Sequence, residues 1–234
     1  MNPGAGVDPH GPRVAPAHDT ARDTAALPRS DPATADAGMA DLVFAVRGVE
    51  LPADYRHALW TALCGAAPWL RDAPHVGVQG VHSVPTGAAT VLLGHRARLT
   101  LRLPAARLAQ AASALEGRRI DIAGAPLEIG ASHVRALAAA ATLYAEFVST
   151  GSAHELAFRD EVATALQQLG VAAGLVCGGA RALAADGCMV RGFALALYGL
   201  HPDSALKLQC EGLGRHRELG CGFFVPHKTI AGVD

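Results

Sequence analysis

The chain has 234 residues, half of them hydrophobic, with a formal net charge of −1 and a mean hydropathy of +0.23. That is enough apolar material for one large core or two small ones, and no apolar stretch is long enough to span a membrane. A neutral total disfavours a polyanionic partner only where charge is evenly spread. Here it is not, since His95–Arg119 holds six arginines and one glutamate. Five cysteines without C-x-x-C spacing read as reduced thiols of a cytoplasmic protein, with no zinc site and no cofactor expected.

Residues 1–38 carry six of the fourteen prolines, five aspartates and three arginines, with almost no large apolar side chains. This is the composition of a disordered leader, without the apolar centre of a secretion signal. Met39 is expected to be the native start. Leu42–Val46 then reads as a buried strand. Pro52 and Asp54 open a helix in which Leu59, Ala62, Leu63 and Ala66 recur at helical spacing. Val76–Val84 and Ala97–Leu103 read as strands. Pro104 opens a second helix with Leu108, Ala111, Ala112 and Leu115 on one face. Ile120–Val134 supplies the remaining β structure around a turn at Gly124-Ala-Pro126.

The same order then recurs. Leu143–Ser149 is a strand, and Ser152 with Glu155 has capping-box spacing ahead of a helix with Phe158, Val162, Ala165, Leu166 and Leu169 on one face. Leu175–Leu183 and Met189–Leu197 form a hairpin around Ala185-Asp-Gly187. A short helix runs from Pro202 to about Glu211, and a last strand covers Gly222–Val225. Two β-α-β-β-α-β passes predict an α+β chain of two tandem ferredoxin-like (RRM-like) domains, at 39–140 and 141–234. The aromatic signature of RNA-stacking RRM sheets is missing.

Two clusters suit phosphate. In Arg96-Ala-Arg98-Leu-Thr100-Leu-Arg102-Leu, strand alternation projects Arg96, Arg98, Thr100 and Arg102 to one face and the leucines to the core. Between the last helix and last strand, Gly212, Gly214, Gly220 and Gly222 flank Arg215, His216 and Arg217, with Lys228 beyond. Glycines let a backbone approach an anion closely, and consecutive free N–H groups form a concavity for one.

A glycine cluster placed there, after two ferredoxin-like passes, resembles the RAMP superfamily of CRISPR proteins. Within it the chain is similar to the CRISPR repeat-processing endoribonucleases, in particular the myxobacterial-type branch of type I systems. The matching stretches are Leu42–Val46, Pro52–Leu63, Arg96–Pro104, Leu206–Leu213 and Gly214–Lys228, so the likeness covers Met39 to Lys228. It implies metal-independent cleavage of a CRISPR precursor RNA within each repeat. The ribose 2′-OH would attack the adjacent phosphate, leaving a 2′,3′-cyclic phosphate (or 3′-phosphate) and a 5′-OH. The implied partner is the repeat RNA, with other CRISPR effector-complex subunits as further candidates.

The resemblance also implies a catalytic histidine in or near the first helix. His57 lies in its first turn, and histidine is the side chain whose ordinary titration range suits acid–base work at neutral pH. Related sequences often have histidine directly after the aspartate, where this chain has Tyr55, a candidate for assisting through a bond to phosphate. Arg56, between them, is a candidate RNA contact. His82, beside the Pro85-Thr-Gly87 turn, is a second catalytic candidate. Two rival readings are a non-catalytic RNA-binding RAMP subunit and a ferredoxin-like small-molecule sensor or scaffold.

Overall fold

A computed structural model describes Met1 and residues 38–81, 83–85 and 89–228. The expected leader therefore lies almost wholly outside the described residues, as do His82 and residues 86–88 of the turn beside it. All the elements below belong to one unit, Ala33–Asp234.

The first pass comprises β1 (Met39–Arg47), β2 (Glu50–Pro52), α1 (Tyr55–Ala66), β3 (Gly77–Gln79), β4 (Ser83–Pro85), β5 (Thr90–Leu93), β6 (Arg98–Pro104), α2 (Leu108–Leu115), β7 (Arg119–Ile122) and β8 (Ala125–Ala136). Its main sheet has the order β3-β6-β1-β8-β7. With β7 set aside as the hairpin partner of β8, this is the antiparallel order of the ferredoxin-like unit. The expected strand Val76–Val84 is broken at Gly80 and Val81 into β3 and β4. The second piece joins β2 and the unforeseen β5 in a small separate sheet.

Register explains what each face buries. Leu42 lies opposite Leu101 and Phe44 opposite Leu99, and these side chains pack with Leu59 and Leu63 of α1 and Leu108 and Leu115 of α2. On the other face Asp41 lies opposite Arg102 and Val43 opposite Thr100. β7 and β8 turn at Ala123 and Gly124, both at positive φ (51° and 89°), which is type I′ geometry. The turn falls one residue earlier than expected, so Pro126 sits inside β8.

The second pass comprises β9 (Thr142–Val148), α3 (Glu155–Gln168), β10 (Gly174–Ala185), β11 (Cys188–Tyr198), α4 (Pro202–Glu211) and β12 (Val225–Pro226). Its sheet order, β10-β11-β9-β12, repeats that of the first, so the chain is α+β with two tandem ferredoxin-like halves. Its core gathers Leu143, Phe158, Val162, Leu166, Leu195, Leu208 and Phe224, each contributing about 1.5–3 kcal/mol by burial. The expected capping box does not form, because the Ser152 hydroxyl donates to the Glu161 carboxylate at 2.6 Å and His154 takes the N-cap position. The last strand is two residues long, since Gly222 and Phe224 are bonded elsewhere: Gly222 N–H to the Phe147 carbonyl, and the Phe224 carbonyl to Arg102.

A third, smaller cluster sits where the halves meet. Phe147, Leu183, Ala185, Val190, Leu219 and Cys221 pack together, with Trp60 of α1 against them. Among the described residues no helix is long and apolar enough to cross a membrane.

Candidate functional site

The first turn of α1 lies against this seam, and its three residues meet different surroundings. Asp54 stands at the N-cap without making a capping bond; its Oδ1 accepts from the Ala184 N–H of β10 at 3.4 Å. Tyr55 points inward. It is 5% exposed, its hydroxyl donates to the Val81 carbonyl at 3.1 Å, and burial raises the phenol above its ordinary pKa. The hydroxyl expected to assist at phosphate is thus engaged by a main-chain carbonyl, while Tyr55 also lines the cleft that holds Arg98 and Arg135. Arg56 is also engaged, through Nη1 to the Leu219 carbonyl at 3.2 Å and Nη2 to Glu146 Oε2 at 3.4 Å.

His57 is half-buried and lines a cleft of about 460 Å³ with Trp60, Ser149, Arg191, Arg215 and His216. Ser149 binds the two arginine-bearing segments together. Its Oγ donates to the Arg191 carbonyl at 2.8 Å, and its own carbonyl accepts from the Arg215 N–H at 2.8 Å. Both arginines are exposed, and among the described residues neither guanidinium makes a hydrogen bond or ion pair. His216 is held beside Glu218, with Nδ1 3.5 Å from Oε1.

The glycine segment is closed rather than cradle-like. Gly212, Gly220 and Gly222 are buried and only Gly214 is exposed. N–H groups of Gly212, Arg215, Gly220, Cys221 and Gly222 are bonded to the carbonyls of Leu208, Ser149, Arg217, His216 and Phe147. A Cβ at Gly222 would lie 2.1 Å from the Leu213 carbonyl oxygen, and one at Gly214 2.4 Å from that of Ser149. These glycines serve close backbone packing. Beneath them the Cys221 thiol is fully buried and is pushed up to about 12 by that burial.

Arg217 turns inward too. Its Nη2 donates to the Gln209 carbonyl at 2.6 Å and its Nη1 to the Cys210 carbonyl, supplying donors to the C-terminal end of α4. Burial, and then neighbouring Arg102, lower its pKa to about 10.

The arginine strand divides its residues among three environments. Arg96 is in the turn before β6 and exposed. Arg98 lines a second cleft, of about 670 Å³, with Arg56, Thr100, Arg135 and Glu146. Arg102 is 1% exposed and bonded by Nε and Nη2 to Asp41 at 2.7 and 3.2 Å. Its Nη1 donates to the carbonyls of Gln209 and Phe224 at 3.1 and 2.8 Å, and it stacks 4.1 Å from the Phe223 ring centroid. The row expected to face phosphate is thus interrupted at Arg102, which the end of α4 and Phe223-Phe224 of the second half cover, while Arg96 and Arg98 remain exposed. Lys228 is exposed beyond β12 and lines neither cleft.

The family model Cas6 Crispr matches residues 40–229. The chain belongs to the Cas6 CRISPR family. A CRISPR-associated endonuclease Cas6 from Myxococcus xanthus is 35% identical over 194 residues, spanning 82% of this chain and 84% of that protein. A Cas6-related protein from Pyrococcus furiosus superposes with a TM-score of 0.59 at 12% identity, covering 80% of this chain and 98% of that one. A RAMP protein that binds different RNA substrates gives 0.61 at 12% identity, with 81% and 99% covered. At such identities the superpositions speak to the fold.

Of the expected site residues, the structure brings His57, Arg215 and His216 to one cleft. It adds Trp60, Ser149 and Arg191, which sequence reasoning missed. Arg191 had a faint signal: it alternates outward, next to inward Val190, just after the Asp186-Gly187 turn. Trp60 read only as part of a helix.

Proposed function

We propose that this Cas6 family member is an endoribonuclease that cuts CRISPR precursor RNA within its repeats, without a metal ion, at the cleft lined by His57. One observation carries the reading: an imidazole and two guanidiniums, unpaired among the described residues, line the same cleft, with Ser149 fixing both arginine segments. Its kinship with a curated CRISPR-associated endonuclease supports it further.

The chemistry needs a base for the 2′-OH, an acid for the departing 5′-oxygen and positive charge at the crowded phosphorus. His57 removes the proton from the 2′-OH, whose oxygen forms the new bond to phosphorus as the bond to the 5′-oxygen breaks. Arg191 and Arg215 stabilise the dianionic phosphorane, and His216 protonates the leaving oxygen. The products are a 2′,3′-cyclic phosphate and a 5′-OH. Arg98 and Arg135, in the second cleft, offer further phosphate contacts, and Arg102 has no part in binding because it is buried.

The test is cleavage of the chain's own repeat RNA in EDTA. Wild type cuts, a 2′-deoxy substitution at the cleavage position abolishes cutting, and His57→Ala slows it by about 10²-fold or more. Cutting of the deoxy substrate would exclude the mechanism. Normal cutting by His57→Ala together with loss in His82→Ala would move the acid–base role to His82.

A further inference from the structure

Among the described residues, four other than glycine have positive φ: His75, Ala123, Asp186 and His216. Ala123 and Asp186 open two-residue hairpin turns that require it. His75 (φ 55°) and His216 (φ 61°) lie in no such turn, and both line one recess, with Trp60, Arg71, Glu211 and Glu218 among its walls. Backbone strain of this kind is kept where surrounding structure enforces it, and it gathers at functional sites.

This recess is about 460 Å³ and adjoins the His57 cleft. Trp60, His216 and Glu218 line both, so they form a shared wall. Trp60 is half-buried and anchored from two sides, packing on the first core and on the seam cluster. An anchored indole between two recesses is a ready platform for a base. Arg71 and His75 line the recess too, and neither side chain makes a hydrogen bond or ion pair among the described residues. With Arg191 and Arg215, Arg71 gives three such guanidiniums along the two recesses.

We propose that the recess bounded by Trp60, Arg71 and His75 is a nucleotide subsite next to the cleavage cleft. It takes one single-stranded nucleotide flanking the scissile phosphate, with its base stacked on Trp60 and its phosphate held by Arg71 and His75. This rests on the His57 cleft being the cleavage site. It makes Trp60 and Arg71 specificity residues for unpaired RNA, because a paired base cannot leave its stack to reach the indole.

The experiment measures binding and single-turnover cleavage of the 2′-deoxy and natural repeat RNAs, full-length and trimmed one nucleotide at a time on either side of the cut. Arg71→Ala and His75→Asn remove the two phosphate contacts, and asparagine tolerates the left-handed backbone. Together they are expected to weaken full-length binding about ten-fold and lower the salt slope by about one. The penalty vanishes for RNA trimmed past the subsite nucleotide. Trp60→Phe keeps affinity and Trp60→Leu loses about ten-fold, only on RNA that reaches the subsite. Equal binding of full-length and trimmed RNA by wild type and all variants, with Arg215→Ala still weakening it, overturns the subsite and leaves the cleavage cleft standing. Failure of wild type to bind or cut any repeat overturns both.

Discussion

Arg98 and Arg102 sit four residues apart on one face of β6 and have opposite fates. Arg98 stays in an open cleft, whereas Arg102 is locked between Asp41, the end of α4 and the Phe223 ring. Alternation puts both on the same face, but does not reveal that the second half of the chain covers one end of it. Removing Arg102 leaves the Asp41 carboxylate buried with half-exposed Arg135, 2.9 Å away, as its one ionic partner among the described residues. Arg102→Met is therefore expected to cost about 3–5 kcal/mol in urea unfolding. Adding Asp41→Leu should restore part of the loss. Wild-type stability in the single variant would show that the pair holds nothing together. His57 is the opposite case: its place in the first helical turn was legible, and its neighbours Arg191 and Arg215 were not placed beside it, being distant in sequence.

Among the elements, turns and helices were read more truly than strand ends. α4 spans Pro202–Glu211, as the proline and Asp203 predicted, and the Asp186-Gly187 hairpin falls where the sequence places it. The small β2-β5-β4 sheet was missed because strands of three or four residues carry too little alternation to register. The glycine segment was found but the closeness of its packing was not, since the sequence shows glycine without showing what presses against it. Two substitutions separate close packing from mere turn geometry. At Gly187 (φ 75°) nothing lies within 4 Å of an added methyl, so Gly187→Ala costs only backbone strain, about 1–2 kcal/mol. At Gly222 (φ 63°) the same methyl strikes the Leu213 carbonyl, so Gly222→Ala should cost clearly more. Equal shifts in the urea midpoint would contradict a packing role for the loop.

At the scale of the whole molecule, the seam between the halves holds both the candidate site and a pH-sensitive element. The Cys221 thiol, fully buried there, is pushed from 9.0 up to about 12, while burial also raises Cys64 and Tyr55. Between the unfolded and folded values, the unfolded chain gives up a proton that the native protein keeps. Stability is thus fully present below about pH 9 and falls as pH rises through the window to 12. Urea midpoints from pH 8 upward should decline, and less steeply in Cys221→Ala. Parallel declines would remove Cys221 as a cause.

The sequence by itself determined the two β-α-β-β-α-β passes and the faces of their helices, because local periodicity and turn residues suffice for both, while the family was marked by the resemblance of the glycine cluster before the last strand. Only the tertiary structure decided which arginines face water and which are buried, and which side chains join His57. Those outcomes depend on one half of the chain packing against the other, a contact between residues more than a hundred positions apart, such as Arg102 with Gln209 and Phe224. No local pattern encodes such a contact.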